Sequence, residues 1–420
     1  MAQRDVRLCL GCIYIVASVL VSPGLAFWRS GGDSSDTCPA FGKRVERYSI
    51  MFDAGSTGTR MYVFKFEISF LEVRLLDEVV MKTTLPISAV THIGDHLKPL
   101  LKKAEKTVPS SKRSVTPIVL LATAGLRLRD DKFKEKIFEA VRKSFKSSSF
   151  RSGKKAVGIL DGVNEGFYCF LTVAYALDNM RLINVNIAVL DLGGGSMQVT
   201  FIPKELETFN KKDHLHKFII PGQRGDVKMY AHSYYAGLMH SRAEIFMKNS
   251  GIRKGSSHSI NVTNSCVHPG LHTLMWMYMG MTFNVTADFE KEFSFQNCHQ
   301  IVKDYVADLR VFAPKELAKM DLYLTSFYYT IAVEVGLISR KDWEKVIHVE
   351  DFKMKAETEC SSQSKTLKGA EFTCLELTYI YSFLHDGLGL QDDKELHVVT
   401  KIKKIEVSWA LGAALISLLG

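Results

Sequence analysis

Two short runs carry most of the chemistry this sequence can offer: Asp53-Ala-Gly-Ser-Thr-Gly-Thr-Arg60 and Asp191-Leu-Gly-Gly-Gly-Ser-Met-Gln198. Each sets an acid ahead of small and hydroxyl-bearing residues. Successive backbone N–H groups in such a turn form a nest for an anion, and glycine lets backbone approach closely. Ser56, Thr57 and Gly58 would hold one phosphate, and Gly193, Gly194, Gly195 and Ser196 another. Asp53 and Asp191 are then the candidate metal-facing carboxylates, suited to Ca²⁺ or Mg²⁺, which keep several waters on a polyphosphate. No lysine follows either turn as it would in a P-loop, which excludes a Walker-type site. The plain alternative is two glycine-turned hairpins, and the matched repetition weighs against it.

Two further polar runs add candidate groups. Glu165 precedes Gly166 at the start of an apolar helical stretch. It reads either as a first-turn acid favoured by the helix dipole or as a general base toward water attacking a phosphate. Thr123 and Arg127 follow another apolar run. Arg127 either offsets charge on a transferring phosphoryl group or pairs with a surface acid.

The elements that must position these groups are legible. Strands are expected over 48–53, 60–67, 73–82, 117–122 and 156–160, with helices over 95–106, 130–146 and from 162 to about 177. Phe133, Ile137 and Val141 fall on one helical face. All four polar runs follow buried strands, and in open α/β sheets the ligand crevice lies outside the strands' carboxyl ends. A three-strand meander followed by alternating helix and strand is the order of a ribonuclease-H-like α/β layer. The order restarts at Asn184, is expanded between about 250 and 300, and is followed by helical patterns from Phe295 onward. This predicts a first domain over 47–178, completed by about 403–420, and a second over 179–402. The apolar run Trp409–Gly420 is too short to span a bilayer and reads as a buried helix packed back on the first domain.

Composition bounds the class, and the N-terminal segment, cysteines and sequons weigh against a cytosolic home. The chain has 420 residues, a net charge of +9 and 46% apolar residues, ordinary for a globular protein of two domains. The charge is spread along the chain and no nucleic-acid-binding signature accompanies it. Arg4 and Arg7 precede an apolar stretch from Leu8 to Leu20 and the small-residue ending Ser22-Pro-Gly-Leu-Ala26. Residues 1–26 thus read as a secretory leader cleaved after Ala26, with an uncleaved membrane anchor as the alternative. Residues 27–46 read as a linker, and Cys169 as a buried thiol. Cys266, Cys298, Cys360 and Cys374 form two sequence-local pairs, although four cysteines allow three connectivities. Asn261-Val-Thr263 and Asn284-Val-Thr286 are N-glycosylation sequons.

The four polar runs, Asp53–Arg60, Ala122-Thr-Ala-Gly-Leu-Arg127, Asn164-Glu-Gly166 and Asp191–Ser196, resemble the first four apyrase conserved regions of the nucleoside triphosphate diphosphohydrolases, the GDA1/CD39 family. Tyr230–Gly237 resembles a diverged fifth region, and Val407–Ala413 resembles that family's end. Gly58 in the first turn, the single N-terminal apolar segment and the four late cysteines are similar to the soluble branch of ectonucleoside triphosphate diphosphohydrolases 5 and 6. The resemblance implies the actin/Hsp70/sugar-kinase superfold, two ribonuclease-H-like domains with a cleft between them. It implies Ca²⁺- or Mg²⁺-dependent removal of a terminal phosphate from nucleoside di- and triphosphates, diphosphates of the UDP or GDP type favoured. By position, Glu165 is the implied base, and Ser196 and Gln198 place the attacking water. Ser56, Thr57, Gly58, Thr123 and Gly193–Gly195 are the implied phosphate contacts, and Asp53 and Asp191 hold the metal largely through water. The branch also implies the disulfides Cys266–Cys298 and Cys360–Cys374, in an ER or Golgi lumen or a secreted protein. Asn164, Met197, Tyr235 and Ala236 depart from the family pattern. The rival expectations are a broad NTP/NDP apyrase, a kinase or ATPase of the same superfold, and a catalytically weak nucleotide-binding protein.

Overall fold

A computed structural model describes residues 43–419 except 70–71, 181, 183–184, 221–224, 251–258, 272 and 362–369. The expected leader, most of the expected linker and Cys9, Cys12 and Cys38 lie outside the described residues. The chain divides into two compact units. Among the described residues, 43–182, 216–229 and 408–419 form unit 1, and 185–215 and 230–407 form unit 2.

Unit 1 opens with β1 (Arg44–Ala54), β2 (Thr59–Ser69) and β3 (Val73–Lys82), an antiparallel meander. β1 begins earlier than the linker expectation allows. Cross-strand charges carry it outward, Arg44 to Glu67 at 3.2 Å and Lys65 to Glu46 at 2.8 Å. Next come α1 (Ile93–Thr107), α2 (Ser110–Arg113), β4 (Ile118–Ala122), α3 (Ala124–Arg127), α4 (Asp131–Lys146), β5 (Val157–Ile159) and α5 (Gly162–Ala176). The sheet order is β3-β2-β1-β4-β5. β1, β4 and β5 run parallel, with Asp53 beside Leu121 and Ala122 beside Ile159.

Alternate side chains of these strands leave opposite faces, and both faces are buried. Ile50, Phe52, Met61, Val63 and Leu120 meet Leu97, Leu100, Phe138, Val141 and Phe145 of α1 and α4. Met51, Tyr62, Phe64, Val119 and Leu121 are equally buried on the other face, where α5 lies beside α12 (Trp409–Leu419). Burial on two sides explains the unbroken apolar run of β4. Thr172 of α5 donates to the Ser408 carbonyl at 2.6 Å and accepts from the Gly412 amide at 2.9 Å. A Cβ at Gly412 would overlap the Tyr168 carbonyl, so glycine is what lets the two helices cross there.

Unit 2 contains β6 (Ile187–Leu192), β7 (Met197–Phe201), α6 (Leu206–Phe209), α7 (Leu238–Asn249), β10 (Ser259–Asn264), β11 (Leu274–Tyr278), β12 (Met281–Ala287) and α8 (Phe295–Asp308). Between α6 and α7 in sequence come β8 (Leu215–Ile219) and β9 (Asp226–Tyr234), of which residues 216–229 are grouped with unit 1. After α8 come β13 (Asp321–Ser326), α9 (Phe327–Glu334), β14 (Glu344–His348), α10 (Val349–Glu359), α11 (Thr373–Ser382), β15 (Glu395–Val399) and the short pair β16 (Lys401–Ile402) and β17 (Ile405–Glu406). The large sheet runs β14-β15-β13-β6-β7-β9-β8. Its segment β9-β7-β6-β13-β15 repeats the order of unit 1, with β8 and β14 added at the edges. The region after Phe295 is therefore not helical throughout, as its apolar runs suggested. Strands as short as β13 and β15 offer too few alternations to be told from helix by period.

The expanded region forms a separate three-stranded sheet, β10-β12-β11. Cys266 is joined to Cys298 and Cys360 to Cys374, with Cα–Cα distances of 4.7 and 4.9 Å. The sulfurs of Cys298, Cys360 and Cys374 lie within 4.8 Å of one another, so the two disulfides stand side by side in the core. Arg242 of α7, buried against Glu376 of α11, has its guanidinium 4.0 Å from the Phe372 ring centroid and 4.8 Å from that of Trp276.

Candidate active site

In unit 1 the site is built at the carboxyl ends of β1, β4 and β5. The β1–β2 turn closes through Gly55 N–H donating to the Gly58 carbonyl at 3.0 Å. Thr123 donates its amide to the Ala54 carbonyl at 3.2 Å, which sets the end of β4 directly beside the turn. Gly125 completes that approach. A Cβ there would come within 2.7 Å of the Ser56 Cα, so α3 can meet the Ser56 backbone only through glycine.

Asp53 is buried and takes the Arg60 guanidinium on Oδ2 at 3.1 Å. Behind the turn, His96 of α1 places Nε2 3.1 Å from Thr59 Oγ1 and 3.3 Å from Thr83 Oγ1. Burial lowers the His96 pKa from its ordinary 6.5, which keeps the ring neutral and able to serve as an acceptor at neutral pH.

Glu165 stands on the first turn of α5. Asp161 caps that helix by accepting from Val163 N at 3.1 Å and Asn164 N at 2.9 Å. Asn164, where the family pattern has an acid, donates to Asp161 Oδ2 at 2.6 Å and strengthens the cap. The capping task thus falls to Asp161. Glu165 Oε2 instead meets Arg127 Nη1 at 3.2 Å, and the same Nη1 donates to the Leu160 carbonyl at 2.8 Å. Both side chains are nearly buried, 12% and 9% exposed. Arg127 thus pairs with an acid, though not with the surface acid expected: its partner is the nearly buried candidate base.

In unit 2 the second turn closes in the same way, Gly193 N–H to the Ser196 carbonyl at 3.0 Å. The start of α7 grips it from behind. Leu238 N donates to Gly193 O at 2.9 Å and His240 N to Gly194 O at 3.0 Å. A Cβ at Gly237 would overlap the amide nitrogens of Gly195 and Ser196, so glycine keeps that cradle open. Ser196 Oγ accepts from Gln198 Nε2 at 2.8 Å, and the same nitrogen donates to Ser233 Oγ at 3.0 Å. The expected water-placing pair therefore lies within one hydrogen-bonded chain. Met197, a departure from the family pattern, is fully buried in the core. Tyr235 is exposed, while the Ala236 carbonyl accepts from the Tyr379 hydroxyl.

Asp191 lies beside Thr325 of the parallel strand β13 and accepts from Ser326 Oγ at 2.6 Å. Ser326 holds a left-handed φ of 63°, a conformation that concentrates at functional positions in non-glycine residues. Sequence reasoning missed it. The signal was a Thr-Ser pair ending a short strand before a helix, near the position Thr123 holds in unit 1. His96 and Ser233 carried no such signal. Among the described residues no helix is long and apolar enough to cross a membrane.

Two units of matching strand order, each with an acid at a strand end and a glycine-containing turn, are the ribonuclease-H-like halves of the actin/Hsp70/sugar-kinase superfold. Solved structures agree on the fold. A nucleoside triphosphate hydrolase from Neospora caninum matches with a TM-score of 0.59 at 13% identity, covering 90% of this chain and 93% of that one. An Aquifex aeolicus PPX-GPPA enzyme matches with a TM-score of 0.50 at 14% identity, covering 88% and 99%. The model of the GDA1/CD39 (nucleoside phosphatase) family matches residues 41–419, and the chain belongs to that family. Among similar relatives, human nucleoside diphosphate phosphatase ENTPD5 is 32% identical, with 92% of this chain and 91% of that protein covered. Mouse ectonucleoside triphosphate diphosphohydrolase 6 is also 32% identical, with 92% and 85% covered.

Proposed function

We propose that the protein is a nucleoside diphosphatase of the secretory pathway that releases the terminal phosphate of UDP- or GDP-type substrates, giving the monophosphate and phosphate. The observation that carries this reading is the placement of Glu165. It is freed from capping by Asp161 and held by Arg127, in the unit whose Ser56–Gly58 turn abuts α3. Glu165 takes a proton from water, and the water oxygen attacks the terminal phosphorus as the bond to the bridging oxygen breaks. Arg127 keeps the carboxylate aimed. Ser196 and Gln198 orient the water. Ser56, Thr57, Gly58 and Thr123 bind phosphate from one turn, and Gly193, Gly194 and Gly195 from the other.

Asp53 and Asp191 would hold a divalent cation largely through its waters. The donor set fits, since carboxylates and hydroxyls are the hard oxygen ligands that Ca²⁺ and Mg²⁺ take. Bound there, the cation would neutralise charge on the phosphates. The name of the human relative supports a diphosphate substrate, and the leader-like residues 1–26 support the compartment.

Glu165→Gln should lower kcat for UDP and GDP by about 10³-fold or more while leaving KM and the circular dichroism spectrum unchanged. Substantial residual turnover would remove Glu165 from the role of base.

A further inference from the structure

The two sequons, distant in sequence by a loop and a strand, are brought side by side in unit 2. β10 and β12 pair in parallel with Asn261 beside Asn284, Val262 beside Val285 and Thr263 beside Thr286. Val262 and Val285 are buried, so both asparagines and both threonines leave the opposite face together. Asn284 Nδ2 donates to Asn261 Oδ1 at 2.9 Å and to Ser259 Oγ at 3.3 Å. The sequon hydroxyls of Thr263 and Thr286 are themselves 3.3 Å apart.

This pairing treats the two asparagines differently. Asn284 is on the central strand, flanked by Asn261 on one side and by Met275 of β11 on the other. Both of its amide hydrogens are committed, and its nitrogen is the atom an oligosaccharide would take. Asn261 is on an edge strand, is exposed, and enters the pairing through Oδ1. Modification of its nitrogen leaves that oxygen in place. Paired side chains on one face stand about 4.8 Å apart across neighbouring strands, less than the breadth of a pyranose ring with its N-acetyl group. Two sugars leaving in the same direction from this pair do not fit without opening the β10–β12 register.

We propose that the folded protein carries one N-linked oligosaccharide on this pair, at Asn261, and that Asn284 stays unmodified as the donor to its neighbour. The inference rests on the secretory-pathway reading above. In the transfer, the Asn261 Nδ2–C1 bond forms as the C1–O bond to a lipid-linked diphosphate breaks. The amide gives up one proton and the lipid diphosphate leaves. Transfer precedes folding, so the discrimination falls at folding: a chain modified at both sites cannot close the sheet and is withheld from the secreted product.

The segment from Gly255 to Lys291 contains no internal Lys or Arg, so one tryptic peptide holds both asparagines. The full chain is secreted from animal cells, reduced, digested, and deglycosylated by an amidase in heavy-oxygen water, which leaves a labelled aspartate at each occupied site. One label per peptide, at position 261, is expected, and Asn284→Gln should change neither label nor secreted yield. Two labels on most secreted peptides, a label at 284 with 261 unlabelled, or an unlabelled peptide from exported protein each overturns the proposal. If the chain's own leader does not export it, the compartment reading fails. The same count on the chain behind a host secretory leader then tests the pairing separately.

Discussion

Arg127 and Ser326, which touch the site's acids, and His96, which touches Thr59 behind the first turn, decide what can be tested one side chain at a time. Arg127 joins Glu165 to the end of β5. Removing one partner of a nearly buried ion pair costs about 3–5 kcal/mol, so Arg127→Ala should lower both kcat and the melting temperature. Arg127→Lys should recover stability better than rate, because a single ammonium does not reproduce the guanidinium's geometry. Ser326 is a cleaner probe of Asp191. Ser326→Gly relieves the left-handed backbone but deletes the 2.6 Å donor. It should leave thermal stability within about 1 kcal/mol while weakening the Ca²⁺ or Mg²⁺ titration of activity. An unchanged titration would separate Ser326 from the Asp191 site. His96 offers a pH handle. Its folded pKa lies below the ordinary 6.5, so the unfolded chain binds the proton more readily, and stability falls as pH drops from about 6.5 toward the folded value. His96→Gln, which retains an amide near the position of Nε2, should flatten the melting temperature between pH 7 and 5. Of these three, Arg127 was legible as a candidate because it sits in an ordered motif. Ser326 and His96 were not, since their partners come from elements far away in sequence.

At the scale of elements, glycine decides whether each phosphate turn can be approached. Gly125 and Gly237 stand in different motifs, yet each gives the backbone of a turn room against a neighbouring helix start. Gly237→Ala should reduce activity by a factor of 10 or more, roughly the effect of displacing a positioned donor, while circular dichroism stays unchanged. Retention of full activity would show that the Gly193–Ser196 amides do not bind substrate. Strand and helix positions in unit 1 were readable because the apolar periods there are long and the polar turns punctuate them. The second half was read less well. β13 and β15 are only six and five residues long, too short for their alternation to stand out from the helical runs around them. The strand extension at Arg44–Glu46 was missed for a different reason. Cross-strand ion pairs hold it, and those depend on a partner that sequence position alone does not identify.

At the scale of the molecule, the two units are stabilised by different means. Among the described residues both disulfides lie in unit 2, and the cysteine of unit 1, Cys169, is a buried thiol. Bridges closing 32 and 14 residues are worth about 3 kcal/mol each in the chain-entropy account. A reductant should therefore lower one transition in a calorimetric scan by roughly 10–25 °C and leave a second transition in place. A single transition moving as a whole would show that the units melt together. The crossing of α12 over α5 has a consequence for biosynthesis. α12 emerges from the ribosome after all of unit 2, yet the surface it covers belongs to the first strands made. Unit 1 is thus begun first and finished last, and its sheet must wait, with one apolar face covered by α5 alone and not by α12, through the synthesis of the whole second unit. A stop codon just before Ser408 would spare every residue of the site and every cysteine bridge, and would still strand the domain that carries the proposed base.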